Sequence, residues 1–211
     1  IWVLIGIFGA LMFALAIQAD KKRRTDMSMF ANDLGLLYKE SLEDEDESNF
    51  AGFKLSQQGH SRKVSNVIVA DSGELRMVIF DYRFTVGSGK NQSTRRQSVV
   101  MARSGLMNLP SFSIAPETFF HRIGELFGYK DIDFDEDPKF SGQFLLRGED
   151  EAAIRDFFNS ERRNRFHDLQ DVSVEGNDDN FLFYHPGKRW KVEETKELMN
   201  RAFTLFGILQ S

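Results

Sequence analysis

The sequence has no cysteine. That absence removes disulfides, thiolate zinc sites and cysteine nucleophiles together. It fits a cytoplasmic setting, although many exported bacterial proteins also lack the residue. An excess of positive charge is missing too: 27 Lys and Arg stand against 32 Asp and Glu, a formal net charge of −5. A general nucleic-acid binder needs a basic face to neutralise phosphates, so nucleic acid is set aside as a partner. There is no HExxH pair, no Gly-x-Ser-x-Gly elbow and no internal repeat. His60, His121, His167 and His185 are scattered, without an obvious carboxylate partner. No catalytic residue, cofactor or metal ligand is assigned from these patterns.

What is present starts with residues 1–17, IWVLIGIFGALMFALAI, a run without a polar side chain. As a helix it would cover roughly 26 Å at about 1.5 Å per residue. Gln18 to Asp20 would carry it to the headgroups of a bilayer whose hydrocarbon is about 30 Å thick. Residues 1–20 are therefore read as one transmembrane helix. Trp2 sits near one end, where an indole suits the interface, and Lys21, Lys22, Arg23 and Arg24 clamp the other. Positive flanks stay inside, which places the rest of the chain on the cytoplasmic side of the inner membrane. A cleavable signal peptide is the rival reading, because Ala14-Leu15-Ala16 and Ile17-Gln18-Ala19 offer small residues to a peptidase. Its charge, however, should precede the apolar stretch, not follow it. Gly6, Ala10 and Ala14 share one helical face and are candidates for close packing against a second membrane helix.

Residues 21–49 are expected to hold the basic clamp, an amphipathic helix over 25–42 and an acidic linker. In the helix Met27, Phe30, Ala31, Leu34, Leu37 and Tyr38 keep a 3.6-residue period. In the linker five acids in a row, Glu43 to Glu47, repel one another and resist burial. Residues 50–211 are read as one α+β domain, an antiparallel β-meander with helices added late. Twenty-one Phe residues supply apolar bulk for its core. The strand over 74–86 should place Val78, Phe80, Tyr82, Phe84 and Val86 on one face. Shorter strands are expected at 64–70, 93–102, 111–114, 140–146, 172–175 and 181–184. Helices are expected at 119–127, from Gly148 with Asp150 as N-cap, and at 192–209.

Several clusters invite a chemical reading and fall short of it. Gly87-Ser88-Gly89-Lys90 resembles the end of a phosphate loop, but Phe84 and Asn91 stand where Gly and Ser or Thr are needed, so a tight hairpin is preferred. Asp131, Asp133 and Asp135 would point one way from an extended segment and could hold a hard cation, yet an edge strand with one wet face explains them equally. Asp81 beside Tyr82 could line a pocket. Arg155, Arg162, Arg163 and Arg165, with Lys188, Arg189 and Lys191, could face anionic lipid.

Residues 50–209 carry a further set of motifs: Phe53 with Gly59, Arg62 and Asn66; Phe80-Asp81-Tyr82; Gly87-x-Gly89-Lys90; Gln97-x-Val99-Val100; Leu109-Pro110-x-Phe112-x-Ile114-x-Pro116-Glu117; Asp131-Ile132-Asp133-Phe134; Pro138-x-Phe140-Ser141; and Leu146-Arg147-Gly148-x-Asp150-Glu151-x-Ala153-x-Arg155. As a set they resemble an uncharacterised family of bacterial, often membrane-anchored proteins. The resemblance implies one folded unit and carries no activity. The leading expectation is a single-pass, non-catalytic accessory, scaffolding or assembly subunit of an integral-membrane complex. A tethered sensor of lipid headgroups, a small ligand or a cation is the alternative. An enzyme, the third reading, would need a buried cleft with converging polar groups.

Overall fold

The computed structural model describes residues 2–117, 130–169 and 171–211, with side chains from Leu11 onward. The expected helix over 119–127 lies outside the described residues.

The chain opens with one continuous helix, α1 (Trp2–Asp33), followed by the short strand β1 (Leu37–Lys39) and two short helices, α2 (Asp44–Ala51) and α3 (Lys54–Gln57). Strands β2 (His60–Asp71), β3 (Arg76–Val86), β4 (Ser93–Arg103) and β5 (Leu109–Pro116) come next. Then follow α4 (Pro138–Gln143), β6 (Phe144–Gly148), α5 (Glu151–Phe157) and α6 (Ser160–Phe166). The chain closes with β7 (Ser173–Asp178), β8 (Asn180–Tyr184) and α7 (Thr195–Leu209).

Among the described residues the eight strands form one sheet in the order β1-β2-β3-β4-β8-β7-β5-β6. Every pairing is antiparallel. The expected meander is thus found in β1 to β4, while the later strands interleave.

Strict alternation along the central strands sends apolar side chains to both faces. On β3, Met77 and Ile79 join one core, with Phe181 and Phe183 of β8. Val78, Phe80, Tyr82 and Phe84 join the other, with Val86 against it, as the sequence predicts for that face. The first core is roofed by Met27 and Ala31 of α1 and by Phe140, Ile154, Phe166, Leu198 and Leu205 of the late helices. The second is covered by Phe50, Phe53 and Leu55 from α2, α3 and the link between them. An antiparallel sheet often leaves one face in water. Here much of the sheet is sandwiched, and the large Phe content fills both sides.

Four local expectations change. The acidic run is not a linker: Asp44 to Glu47 form the first turn of α2, where carboxylates favour the positive end of the helix. The helix expected over 25–42 is instead the second half of α1, which stops at Asp33; Gly35, at φ +67°, then turns the chain, and Leu37 and Tyr38 enter β1. At 140–146 the strand begins only at Phe144, because Asp137 caps α4 by accepting from the Phe140 N–H at 3.1 Å and Pro138 occupies its first turn. The long helix after Gly148 is likewise divided, with Asp150 capping α5 and Asn159 capping α6.

Among the described residues no helix is long and apolar enough to cross a membrane. The span expected over residues 1–20 draws its first ten side chains from outside that set. The described part of the run, residues 11–17, exposes its large side chains on every side of α1: Leu11, Met12, Phe13 (70% exposed), Leu15 and Ile17.

Candidate functional site

Where α1 leaves its apolar half it meets the sheet through a buried polar network. Arg23 donates from Nε to Asp81 Oδ2 at 2.6 Å and from Nη2 to Asp81 Oδ1 at 2.7 Å. The two side chains are 11% and 7% exposed. This is the planar two-point contact that guanidinium and carboxylate make best. Asn66 Nδ2 donates to the same carboxylate at 2.9 Å, and Ser98 Oγ donates at 3.2 Å. Tyr38 OH donates to Asn66 Oδ1 at 3.1 Å, and the backbone N–H of Trp190 donates to Ser98 Oγ at 3.1 Å. Burial raises the Tyr38 phenol above its ordinary pKa. Three parts of the fold therefore donate to one carboxylate, and two more hold the donors Asn66 and Ser98 in place.

The sequence builds this centre locally. Between Ser65↔Asp81 and Ile68↔Ile79 strand β2 holds one residue more than β3, a bulge. Asn66 stands in it with φ +55°, a left-handed conformation that asparagine tolerates better than most residues. The bulge re-aims Asn66 at Asp81. Arg23, expected as part of the membrane-interface clamp, is thus a buried partner of the sheet. Its three neighbours stay exposed: Lys22 pairs with Asp26 at 2.6 Å, Arg24 pairs with Glu40 at 2.9 Å, and Lys21 faces solvent. Ala14 is exposed on α1; the side chains of Trp2 and Ala10 and the surroundings of Gly6 lie outside what the structure describes.

Beside the network lies a small cleft of about 100 Å³, lined by Asp20 and Arg24 of α1, Lys63 and Asn66 of β2, Asp81 and Arg83 of β3, Arg96 of β4, and Arg189. Arg83 stands directly opposite Lys63 on one side and Arg96 on the other. All three are exposed. Sequence reasoning passed over this row. Its trace was there: the face of β3 that begins with Met77 and Ile79 turns polar at Asp81 and Arg83.

A second polar centre lies on the opposite face. Glu175 of β7 accepts from the backbone N–H groups of Lys54 at 2.6 Å and Leu55 at 3.1 Å, and from Tyr184 OH at 3.2 Å. It thereby holds the start of α3. Burial pushes its pKa up to about 7 despite those donors. Burial also pushes the Tyr184 phenol well up. Nearby, a groove of about 490 Å³ runs past Leu42, Phe50, Val64 and Tyr82. Arg62, which also lines it, donates to the carbonyls of Gln57, Gln58 and Gly59.

The remaining sequence candidates fare differently. Asp81 and Tyr82 both help to line the cleft, as expected, although their side chains leave opposite faces of the sheet and Tyr82 OH donates to the Leu55 and Ser56 carbonyls at 3.4 Å. Residues 87–92 form the turn of the β3–β4 hairpin, as expected. Ile132 and Phe134 are buried, but their segment makes no strand; the Ile132 N–H donates to the Leu146 carbonyl at 2.8 Å. Asp131 is raised by burial and by Asp133. Among the described residues no group of three or more His, Asp or Glu side chains could hold a metal ion. The basic patch on the late helices does not form as read, because Arg162 and Arg163 are buried. Arg162 donates to the Ile208 carbonyl at 3.2 Å, and Arg163 donates to the Phe158 carbonyl at 2.7 Å and pairs with Asp137 at 3.2 Å.

No protein-family model matches the chain, and no curated protein matches it in sequence. Among solved structures, the fold is similar to that of the mycobacterial trehalose monomycolate transport factor A, TtfA, with a TM-score of 0.60 at 12% identity over 89% of this chain and 93% of that one.

Proposed function

We propose that the chain is a single-pass, membrane-anchored accessory subunit that acts without catalysis on an integral-membrane complex, in a scaffolding, assembly or transport-assisting role. Residues 1–20 serve as the anchor. In this reading the domain lies on the cytoplasmic side of the inner membrane, which the basic flank favours, and Gly6, Ala10 and Ala14 offer a face to a partner helix.

One observation carries this reading. The five large apolar side chains at residues 11–17 surround α1 and touch no core, while the same helix continues unbroken into the domain. A soluble amphipathic helix buries one stripe and wets the other. Apolar surface on all sides requires lipid or protein around it. The likeness in fold to a transport factor supports an assisting role over an enzymatic one.

Purification of the tagged full-length chain in mild detergent, with and without crosslinking, tests the proposal. A membrane protein recovered with it is the expected result. Recovery of the chain alone under both conditions, or as a water-soluble species without detergent, overturns it.

A further inference from the structure

The cleft beside Arg23 holds more positive charge than the described residues neutralise. Its two acids are already engaged: Asp81 by Arg23, and Asp20 by Arg189 at 3.5 Å. Arg24 is engaged by Glu40. Lys63, Arg83 and Arg96 pair with no carboxylate among the described residues, although the strand register sets them side by side across three strands. Like charges placed directly opposite one another destabilise a sheet. A row of three is tolerated best where something anionic comes to meet it.

Position indicates what that is. The cleft is shared between this row and Asp20 and Arg24 of α1, about one and two turns beyond the exposed apolar residues that end at Ile17. On a helix with its apolar half in lipid, residues 18–20 lie among the headgroups. The row therefore faces the layer where lipid phosphates sit, at a place too small for a drug-sized ligand and large enough for one phosphate group.

We propose that Lys63, Arg83 and Arg96, set in register beside Asp20 and Arg24 of α1, form a docking surface for the phosphate headgroups of an anionic bilayer. This rests on the anchoring of residues 1–20 proposed above. It replaces the late-helix basic patch with a different set of side chains. Its function is to fix the face that the domain turns toward the membrane.

The test uses the full chain mixed with vesicles of phosphatidylcholine alone or of an equal mixture with phosphatidylglycerol. Flotation reports anchoring. Acetylation of Lys63 by a membrane-impermeant reagent, read by mass spectrometry against exposed Lys139, reports docking. The expected result is flotation with both vesicles and about fivefold less labelling of Lys63 on the anionic ones, reversed by salt. R83Q/R96Q, which relieves repulsion and should fold, is expected to float equally and to lose the protection. Flotation with both compositions and equal labelling overturns the docking surface and leaves the anchor standing. Association with anionic vesicles alone overturns the anchor and supports the row. Protection that appears only in native membranes, and not on protein-free anionic vesicles, assigns the row to an acidic protein surface and overturns the lipid reading.

Discussion

Arg76, at the start of β3, holds Asp46 of α2 through two parallel hydrogen bonds, Nε to Oδ1 at 3.0 Å and Nη2 to Oδ2 at 2.8 Å. The Asp46 side chain is only 3% exposed. One acid out of a run of five is thus taken inside, and its partner lies thirty residues away. Asp71 also meets Arg76, at 3.0 Å, so the guanidinium is shared between α2 and the β2–β3 turn.

Asp46→Ala is expected to cost about 1–3 kcal/mol, because it leaves a half-buried guanidinium short of an acceptor and frees one end of α2. Arg76→Lys should lose part of the same amount, since an ammonium cannot reproduce the two-point contact. Chemical denaturation of both variants checks the order. An Asp46→Ala protein as stable as the parent would show that the pair contributes nothing.

Breaking the Arg23–Asp81 pair should be costlier. Arg23→Met is expected to destabilise by about 3–5 kcal/mol, the usual penalty for leaving one member of a buried pair alone. Asp81→Asn should act similarly, and the double variant should cost less than the sum of the two. Denaturant titration in detergent gives all corners of the cycle. Additive effects would mean that the two residues stabilise independently.

Glu175 and His185 should impose opposite pH dependences. The folded carboxyl of Glu175 titrates near 7 instead of its ordinary 4.5, so its stability contribution is full below 4.5 and is lost as pH rises toward 7. Burial, then nearby Lys188, lowers His185 to about 4, so its contribution is full above 6.5 and is lost as pH falls toward 4. Each is worth about 3 kcal/mol by linkage. The two slopes cancel where the windows overlap, so this pair together contributes little pH dependence to the parent between pH 4.5 and 6.5. Glu175→Gln should unmask a rise in stability with pH across that range. Thermal melts of both proteins over this pH series decide it, and parallel curves would refute the assignment.

Gly176 has no room for a side chain. A Cβ there would run into the ring of Phe112 on the neighbouring strand. Gly176→Ala is expected to cost about 1–3 kcal/mol through overpacking. Phe112→Leu in the same chain should recover part of the loss, measured by melting temperature. No recovery would place the strain elsewhere.

The sequence exposed those parts of the fold that depend on near neighbours. The alternation from Val78 to Val86, the Asp150 cap and the β7–β8 hairpin all rest on residues a few positions apart. The candidate site was hidden for the opposite reason. Arg23 reads as one of four consecutive cations until Asp81, fifty-eight residues away, is brought beside it. Arg162 and Arg163 look like solvated helix residues until the Ile208 and Phe158 carbonyls are seen to need donors. Charge patterns reveal that an ion exists, but its partner is set by tertiary packing. The acidic run misleads similarly: repulsion among its members argues for solvent, whereas the helix end and Arg76 supply compensation that no local pattern shows.

Because α1 runs without interruption from Trp2 to Asp33 and is tied to the sheet at Arg23, the protein has no swivel between its greasy end and its body. Any tilt imposed on the first half must turn the sheet with it, like a blade fixed to its shaft. A partner that leans on the apolar end could thereby reorient the far side of the domain without touching it.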